Sequence, residues 1–280
     1  MERLLNIDRR VIYVLLAAIV VVPLLKPMGL PFGLTAETQK AFNAVESLKP
    51  GDVVVIDFGY DAGGAAEVHP QAEVFFTHCM QKDVRVIGFS LNQQGPRFAD
   101  KIWETWKAQG KEYGKDFVNL GFFAGGEAAL ASFAKNIPGF VAVDYYNNKT
   151  EGMEIFDGIQ TAEDVDLFIS ISTSSILPFI QYFYGPYGKP VTGGAIGTQI
   201  SRYQSYSDAG QLEGYLGSLR GAAEYEKLLG VAGTATASMD AQSVAHIFIA
   251  VLIVLGNVAE FAHKKSSGPH RKGGSESDDY

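Results

Sequence analysis

Apolar and polar positions follow a repeated strand, loop and helix pattern through the middle of the chain. The clearest segment is residues 51–64, GDVVVIDFGYDAGG, in which only Asp57 interrupts a run of apolar residues. A continuous β-branched run is typical of a strand that is buried on both faces of a parallel sheet. A loop rich in Gly, Ala and Asp follows, and a helical pattern begins at His69. These positions therefore predict the first β-loop-α unit of an α/β domain.

Similar units recur further along the chain. Further strands are predicted at 84–91, 117–122, 167–172 and 190–195, and helices at 69–82, 96–110, 127–136 and 176–184. The segment at 140–146, FVAVDYY, is a weaker strand candidate within a less regular stretch. Strands that alternate with helices indicate a parallel sheet covered on both faces. With right-handed crossovers, the pattern predicts a Rossmann-like three-layer sandwich with a mostly parallel sheet.

The two ends of the chain each carry a run of apolar residues without charge. The first, Val11–Leu25, predicts a transmembrane helix at 11–27, although a cleaved signal peptide has a similar outline. The second, Val244–Val258, predicts a transmembrane helix at 243–262, and its alternative is a buried core helix. The lipid bilayer is therefore an expected partner.

Lysines and arginines flank the outer ends of both apolar runs. Arg9 and Arg10 precede the first run, and Lys264 and Lys265 follow the second. Because basic residues favour the cytoplasmic side, the tails at 1–10 and 263–280 are predicted to be cytoplasmic. The second tail is polar and is expected to be disordered. The α/β domain at 28–242 is then predicted to lie outside the cytoplasm, in a cell membrane protein that crosses twice.

Four glycines occur at helical spacing near the end of the domain. If residues 209–229 form one helix, Gly210, Gly214, Gly217 and Gly221 line a single face of it. Glycine weakens a helix interior by about 0.5–1 kcal/mol against Ala, so a close backbone approach is the expected reason for it. That approach is either to the domain's own sheet or to another subunit. Arg220, Glu224 and Glu226 are predicted to be solvated or ion-paired rather than catalytic.

Candidate binding residues come from the carboxyl ends of the predicted strands, where open parallel sheets bind ligands. The loops there are small, polar and mostly uncharged, which suits a small polar or anionic ligand, although turns alone also require such residues. The candidates are Asp57, Asp61, Gln93, Gly125, Gly126, Glu127, Ser174 and Gln199. Asp57 stands out as an ionisable residue inside an apolar strand, where it either holds a loop or contacts a ligand.

Sequence motifs for catalysis are mostly missing. The chain has no G-x-S-x-G, no phosphate-binding G-x-x-x-x-G-K-[ST] and no G-x-G-x-x-G after its first strand. A serine hydrolase can still be assembled from Ser90 or Ser174, with His69 as base and Asp57 or Asp61 as its carboxylate. No cofactor and no metal site are predicted, because only two of the five histidines lie in the domain.

Charge narrows the class of partner. The net charge is −8, and 25 acidic residues face 15 basic ones between positions 27 and 259, which argues against nucleic acid. The first hypothesis is a non-catalytic subunit that assembles with copies of itself or with other membrane proteins. The aromatic segment at 179–187, FIQYFYGPY, is a contact candidate if it is exposed. The alternatives are a membrane-tethered domain that binds a small ligand, as a sensor or transporter accessory, and the serine hydrolase.

Overall fold

The structure is a computed structural model that describes residues 8–31 and 33–266. Most of the two predicted cytoplasmic tails, 1–7 and 267–280, lies outside the described residues. The chain divides into two compact units. One contains Gly29–Thr236, and the other combines the residues up to Met28 with those from Ala237 onward.

A six-stranded sheet forms the centre of the first unit. Its strands are β1 (Val53–Gly59), β2 (Arg85–Ser90), β3 (Phe117–Phe122), β4 (Leu167–Ser172), β5 (Val191–Ala195) and β6 (Leu216–Gly217). The order is β3-β2-β1-β4-β5-β6, and all of the neighbouring pairs are parallel. This is the strand order of a Rossmann-like fold. The predicted α/β class and parallel sheet are confirmed, whereas the short strand β6 was not predicted.

Helices cover both faces of the sheet, which produces three layers. The helices of this unit are α2 (Ala36–Glu46), α3 (Ala62–Gln81), α4 (Gly95–Lys107), α5 (Glu127–Phe133), α6 (the consecutive parts Leu177–Phe179, Ile180–Tyr184 and Gly185–Tyr187), α7 (Ile200–Asp208) and α8 (Ser218–Leu229). Val54 and Ile56 of β1 pack with α2, α3, α4 and α8, whereas Val53 and Val55 pack with α5, α6 and α7. A strand places successive side chains on opposite faces, so the continuous apolar run of β1 supplies both cores.

Helix α3 begins earlier than its apolar pattern indicated. It starts at Ala62 rather than His69, because the Asp61 side chain accepts hydrogen bonds from the N–H groups of Gly63 and Gly64 at 2.9 and 3.2 Å. A carboxylate in this position satisfies the free donors of a helix start. Pro70 therefore lies inside the helix.

The predicted helix at 209–229, with a glycine stripe, is wrong. Gly210 and Gly214 lie in a loop with φ of +69°, Gly217 belongs to β6, and only Gly221 lies within α8. The expectation of a close backbone approach holds in another form. A Cβ on Gly214 would collide with the backbone of α2 at Glu37 and Ala41. Tight packing within the domain, and not helical periodicity, accounts for this glycine.

The second unit contains two apolar helices, α1 (Arg9–Leu25) and α9 (Thr234–Ser266), of which α9 begins within the first unit. The N–H of Met28 donates to Oδ2 of Asp240 at 2.6 Å, which joins the end of α1 to the early part of α9. Apolar side chains remain exposed along both helices, for example Leu25 at 81% and Phe261 at 76%. Helix α9 continues through Ser266, beyond the predicted boundary at 262.

One helix among the described residues is long and apolar enough to cross a membrane. It covers Thr234–Phe261 and has a mean hydropathy of 2.1. Helix α1 has 17 residues and a length of about 25 Å, which is short against a hydrocarbon core of about 30 Å. The structure thus gives one candidate span where two were predicted.

Two buried glutamates of α8 hold the segments by which the chain enters and leaves the domain. Glu224, at 0% exposure, accepts hydrogen bonds from the N–H and hydroxyl of Thr35 at 2.9 and 2.6 Å, and it pairs with Arg220 at 2.8 Å. Glu226, at 3% exposure, accepts from the N–H groups of Gly233, Ala235 and Thr236 at the start of α9. The expected ion pair of Glu224 is present, but neither glutamate is solvated.

Candidate functional site

The carboxyl ends of β1 and β4 lie side by side in the middle of the sheet. Gly59 pairs with Ser172, and the N–H of Thr173 donates to the carbonyl of Gly59 at 3.4 Å. Strand order reverses here, since β2 and β3 lie on one side of β1 and β4 to β6 on the other. In Rossmann-like folds this switch point is where a ligand enters. We call the side of the sheet where the strands end its carboxyl edge.

The loop after β1 is closely packed at this edge. Asp61 occupies the first free N–H groups of α3, and the Oε1 of Gln94 accepts from the N–H of Ala62 at 3.2 Å. A Cβ on Gly64 would overlap the side chain of Thr173, so the start of α3 lies directly against the loop after β4. The positions that a dinucleotide phosphate uses in related folds are therefore filled by the chain's own side chains.

A second carboxylate, on the second turn of α3, accepts a backbone hydrogen bond at the same edge. Oε1 of Glu67, on α3, accepts from the N–H of Gly197 at 2.5 Å, beyond the end of β5. Neither Glu67 nor Gln94 was among the predicted site residues. Glu67 was missed because the helix was expected to begin at His69. A reading of Asp61 as a helix cap would have placed Glu67 on the second turn of α3.

Asp57 lies beneath the same edge and is 1% exposed. Its Oδ1 accepts from the N–H of Leu91 at 3.1 Å, and its Oδ2 accepts from the hydroxyl of Ser170 at 3.1 Å. Burial raises the pKa of Asp57 to about 7, and the two hydrogen bonds oppose this rise. Asp57 thus joins three strands, β1, β4 and the end of β2, as a residue that holds a loop.

The remaining predicted site residues are spread along the carboxyl edge. Gln93 and Ser174 are exposed, and Ser174 shares a hydrogen bond of 2.9 Å with the buried hydroxyl of Ser172. Gly125 and Gly126 precede α5 with φ of +108° and +55°, a conformation that favours glycine. Glu127 follows them and accepts from the Tyr182 hydroxyl at 3.4 Å. Gln199 closes a short 3₁₀ turn, Gly197–Gln199.

The residues of the serine hydrolase hypothesis do not come together. Nδ1 of His69 shares a hydrogen bond of 2.8 Å with the Tyr60 hydroxyl, and its Nε2 lies 3.6 Å from Oε1 of Glu73. The buried hydroxyl of Ser90 donates to backbone carbonyls, among them that of Phe58 at 2.8 Å. Burial, and secondarily the charge of Lys101, lowers the pKa of His69 to about 4. The imidazole is therefore neutral at pH 7 and contacts neither serine.

Besides Nε2 of His69, two buried polar side-chain atoms among the described residues have no hydrogen-bond partner. They are Oε1 of Gln71, whose Nε2 donates to the carbonyls of Ala195 and Ser218, and the hydroxyl of Tyr203 on α7. Asp57 contributes to raising the pKa of Tyr203, after the larger effect of burial. Sequence reasoning missed both residues, because neither follows a strand directly.

No group of three or more His, Cys, Asp or Glu side chains suited to a metal ion occurs within residues 8–31 and 33–266. The sheet topology and the long apolar helix together define the class: a Rossmann-like α/β protein with a closely packed carboxyl edge and an apolar helix long enough to span a membrane. Comparisons of the chain with family models, with curated proteins and with solved structures gave no match.

Proposed function

We propose that this protein is a membrane-anchored, non-catalytic subunit whose Rossmann-like domain lies outside the cytoplasm and mediates protein assembly. The chief support is the filling of the carboxyl edge. Asp61 and Glu67 occupy backbone donors that would bind an anionic ligand, and the close approach of Gly64 to Thr173 leaves little room between β1 and β4. Because function is argued from the site and not from the fold, a closed ligand position favours an assembly role over small-ligand binding.

The membrane part of the proposal is supported by α9 and by its pairing with α1 in one unit. Ala237, Ala241 and Ala245 recur every four residues on α9, and the first two are nearly inaccessible. Small residues at this spacing allow close packing of membrane helices. We propose that α1 is a second, short span and that both termini are cytoplasmic.

The two attachments to α8 agree with a domain inserted between two membrane segments. Thr35, near the entry of the chain, and Thr236, near its exit, are both held by buried carboxylates of the same helix. Both connections therefore leave the same helical layer of the domain.

Native mass measurement of the full chain in mild detergent tests the proposal. We expect a mass above that of one chain, either as a homo-oligomer or together with co-purified membrane proteins. A uniform monomer, with no other chain bound at any detergent concentration tested, would contradict the proposed assembly role. Labelling of cysteines introduced into the domain, in intact and in opened cells, tests its location outside the cytoplasm.

The alternative, a small-ligand-binding domain, is favoured by one observation. The hydroxyl of Tyr203 and Oε1 of Gln71 are buried without partners beneath the carboxyl edge, and such atoms are uncommon in folded proteins. A thermal-shift screen of small polar and anionic compounds distinguishes the two functions. A stabilising compound whose effect is lost in Tyr203→Phe would support the ligand-binding function.

A further inference from the structure

The domain exposes a group of apolar side chains beside β3, at surface positions that are usually polar in soluble domains. Four apolar or aromatic side chains lie at the end of the edge strand β3 or in the loop beside it, with exposures between 38% and 46%. These are Phe122, Val143, Tyr145 and Tyr146. Together with Lys149 and Glu151 we call them the loop surface. Contiguous exposed aromatic residues commonly mark a protein interaction site.

The backbone of the loop surface is held in place. The N–H of Tyr145 donates to the carbonyl of Asn119 at 2.8 Å, which occupies part of the free edge of β3. The buried Asp144 accepts from the N–H groups of Tyr146 and Asn148 at 2.9 and 2.8 Å. The Tyr146 hydroxyl donates to Asp100, so Tyr146 belongs to the packing of the domain itself. Because the turn is already ordered, Tyr145 can serve as an anchor with little further loss of conformational freedom on binding.

A concave surface adjoins these aromatic residues. Val143 forms an antiparallel bridge with Lys149, and both line a cavity of about 580 Å³ whose floor includes Val141 and Phe156. The loop surface thus combines the exposed Tyr145 with a largely apolar recess that is wide enough to take an aromatic side chain. A contact between identical copies requires each copy to present both parts of the interface, and this surface carries a projecting side chain and a recess together.

The charges of this surface indicate the same partner. Lys149 and Glu151 are both exposed, on either side of the buried Thr150. A twofold axis near Thr150 would place Lys149 of one copy opposite Glu151 of the other. Elsewhere the domain is acidic, with 25 acidic and 15 basic residues between positions 27 and 259, so a locally balanced pair removes repulsion at this position.

We infer that the loop surface is the contact between two copies of this chain, with Tyr145 of each copy against the recess of the other. This inference rests on the proposed assembly function and names the surface that carries it. The covered edge of β3 means that side chains, and not strand pairing, make the contact.

Charge reversal tests the inference in the full chain in detergent, with native mass as the readout. Lys149→Glu and Glu151→Lys should each weaken the dimer at least about tenfold, because each places like charges opposite one another. The double variant Lys149→Glu/Glu151→Lys should restore it. Arg202→Glu, an exposed change of the same charge on α7, is the matched control and should leave the mass unchanged. Thermal unfolding of each variant establishes that it is folded.

A second variant addresses the apolar part. Tyr145→Ser keeps the backbone hydrogen bond to Asn119 and removes one anchor, so we expect the dimer to weaken at least about tenfold. If the wild-type oligomer persists in Tyr145→Ser and in both single charge variants, the loop surface is not the contact, although the assembly function stands. If the single variants dissociate and the double variant does not recover, Lys149 and Glu151 do not face each other across a twofold axis, and the proposed arrangement is wrong. A monomeric wild type would overturn the inference and the self-assembly behind it.

Discussion

Two regions of this protein place a carboxylate on the first turn of a helix, and they do so in different ways. Asp61 caps α3 from the neighbouring position in the chain, in the loop at the carboxyl edge. Glu226 is buried within α8 and accepts three backbone N–H groups and one hydroxyl from the segment that begins α9. The same favourable interaction with the helix dipole is thus local in one region and tertiary in the other.

The two carboxylates differ in what happens to their hydrogen-bond donors if the carboxylate is removed. Near the surface, water can take over the donors that Asp61 satisfies, so its contribution is modest. Around Glu226 the donors of Ala235 and Thr236 are buried. Their loss would leave several polar groups without a partner, which costs much more. Glu226 therefore holds residues 233–236, where α9 begins, against α8, whereas Asp61 only begins a helix.

The largest expected effect is that of Glu226→Ala. We expect the free energy of unfolding of the domain to fall by about 4 kcal/mol, because several buried donors lose a charged acceptor. Thermal unfolding in detergent measures the loss, and limited proteolysis should reveal new cleavage between Leu229 and Thr236. Glu213→Ala, an exposed glutamate, is the control and should change neither. If Glu226→Ala is as stable as Glu213→Ala, the buried carboxylate at the start of α9 contributes no more than a surface residue, and the contrast with Asp61 is lost.

Asp57 is intermediate between Glu226 and Asp61 in its expected contribution to stability. It is as buried as Glu226 but accepts only two hydrogen bonds. Its pKa in the folded protein is about 7, above its ordinary value of 3.8, so the folded state retains a proton that the unfolded state releases. The contribution of Asp57 to stability is therefore present in acid and is lost as the pH rises from about 4 to 7. His69 has the opposite effect, since its lowered pKa destabilises the fold as the pH falls below 6.5.

We therefore expect a difference between the wild type and Asp57→Asn that depends on pH. From pH 5 to pH 8 the wild type should lose about 2–3 kcal/mol relative to the variant, since one pKa unit corresponds to about 1.4 kcal/mol. Chemical denaturation at several pH values measures this difference, and His69 contributes equally to both proteins. A constant difference across this range would mean that Asp57 titrates as an ordinary surface acid.

The smallest expected effect is that of Asp61→Ala. We expect a loss of about 1 kcal/mol, with little change in the rest of the domain, because it removes one helix cap. Asp61→Asn, which retains an acceptor, should recover most of the loss. Hydrogen exchange at Gly63 and Gly64 is the local readout, and unchanged exchange there in Asp61→Ala would contradict the cap.

Much of the fold follows from local patterns. The β-branched runs at β1 and β4 predict buried parallel strands, and the apolar run after Val244 predicts a membrane helix, because burial on all sides requires continuous apolar residues. The glycine stripe failed for the converse reason. Spacing of four and three residues fits a helix, but a loop with positive φ at Gly210 and Gly214 uses glycine for its conformation.

The candidate site was predictable only in part. The sequence determined that Asp61 and Ser174 follow strands, and parallel pairing brings such ends to one edge of a sheet. Only the tertiary structure decided that Glu67 reaches Gly197, that Tyr145 covers β3 and that Glu226 holds α9. Each of these contacts joins residues whose partner is set by the packing of separate elements. Local propensity and periodicity carry no information about that partner, because they depend on neighbours in the chain and not in space.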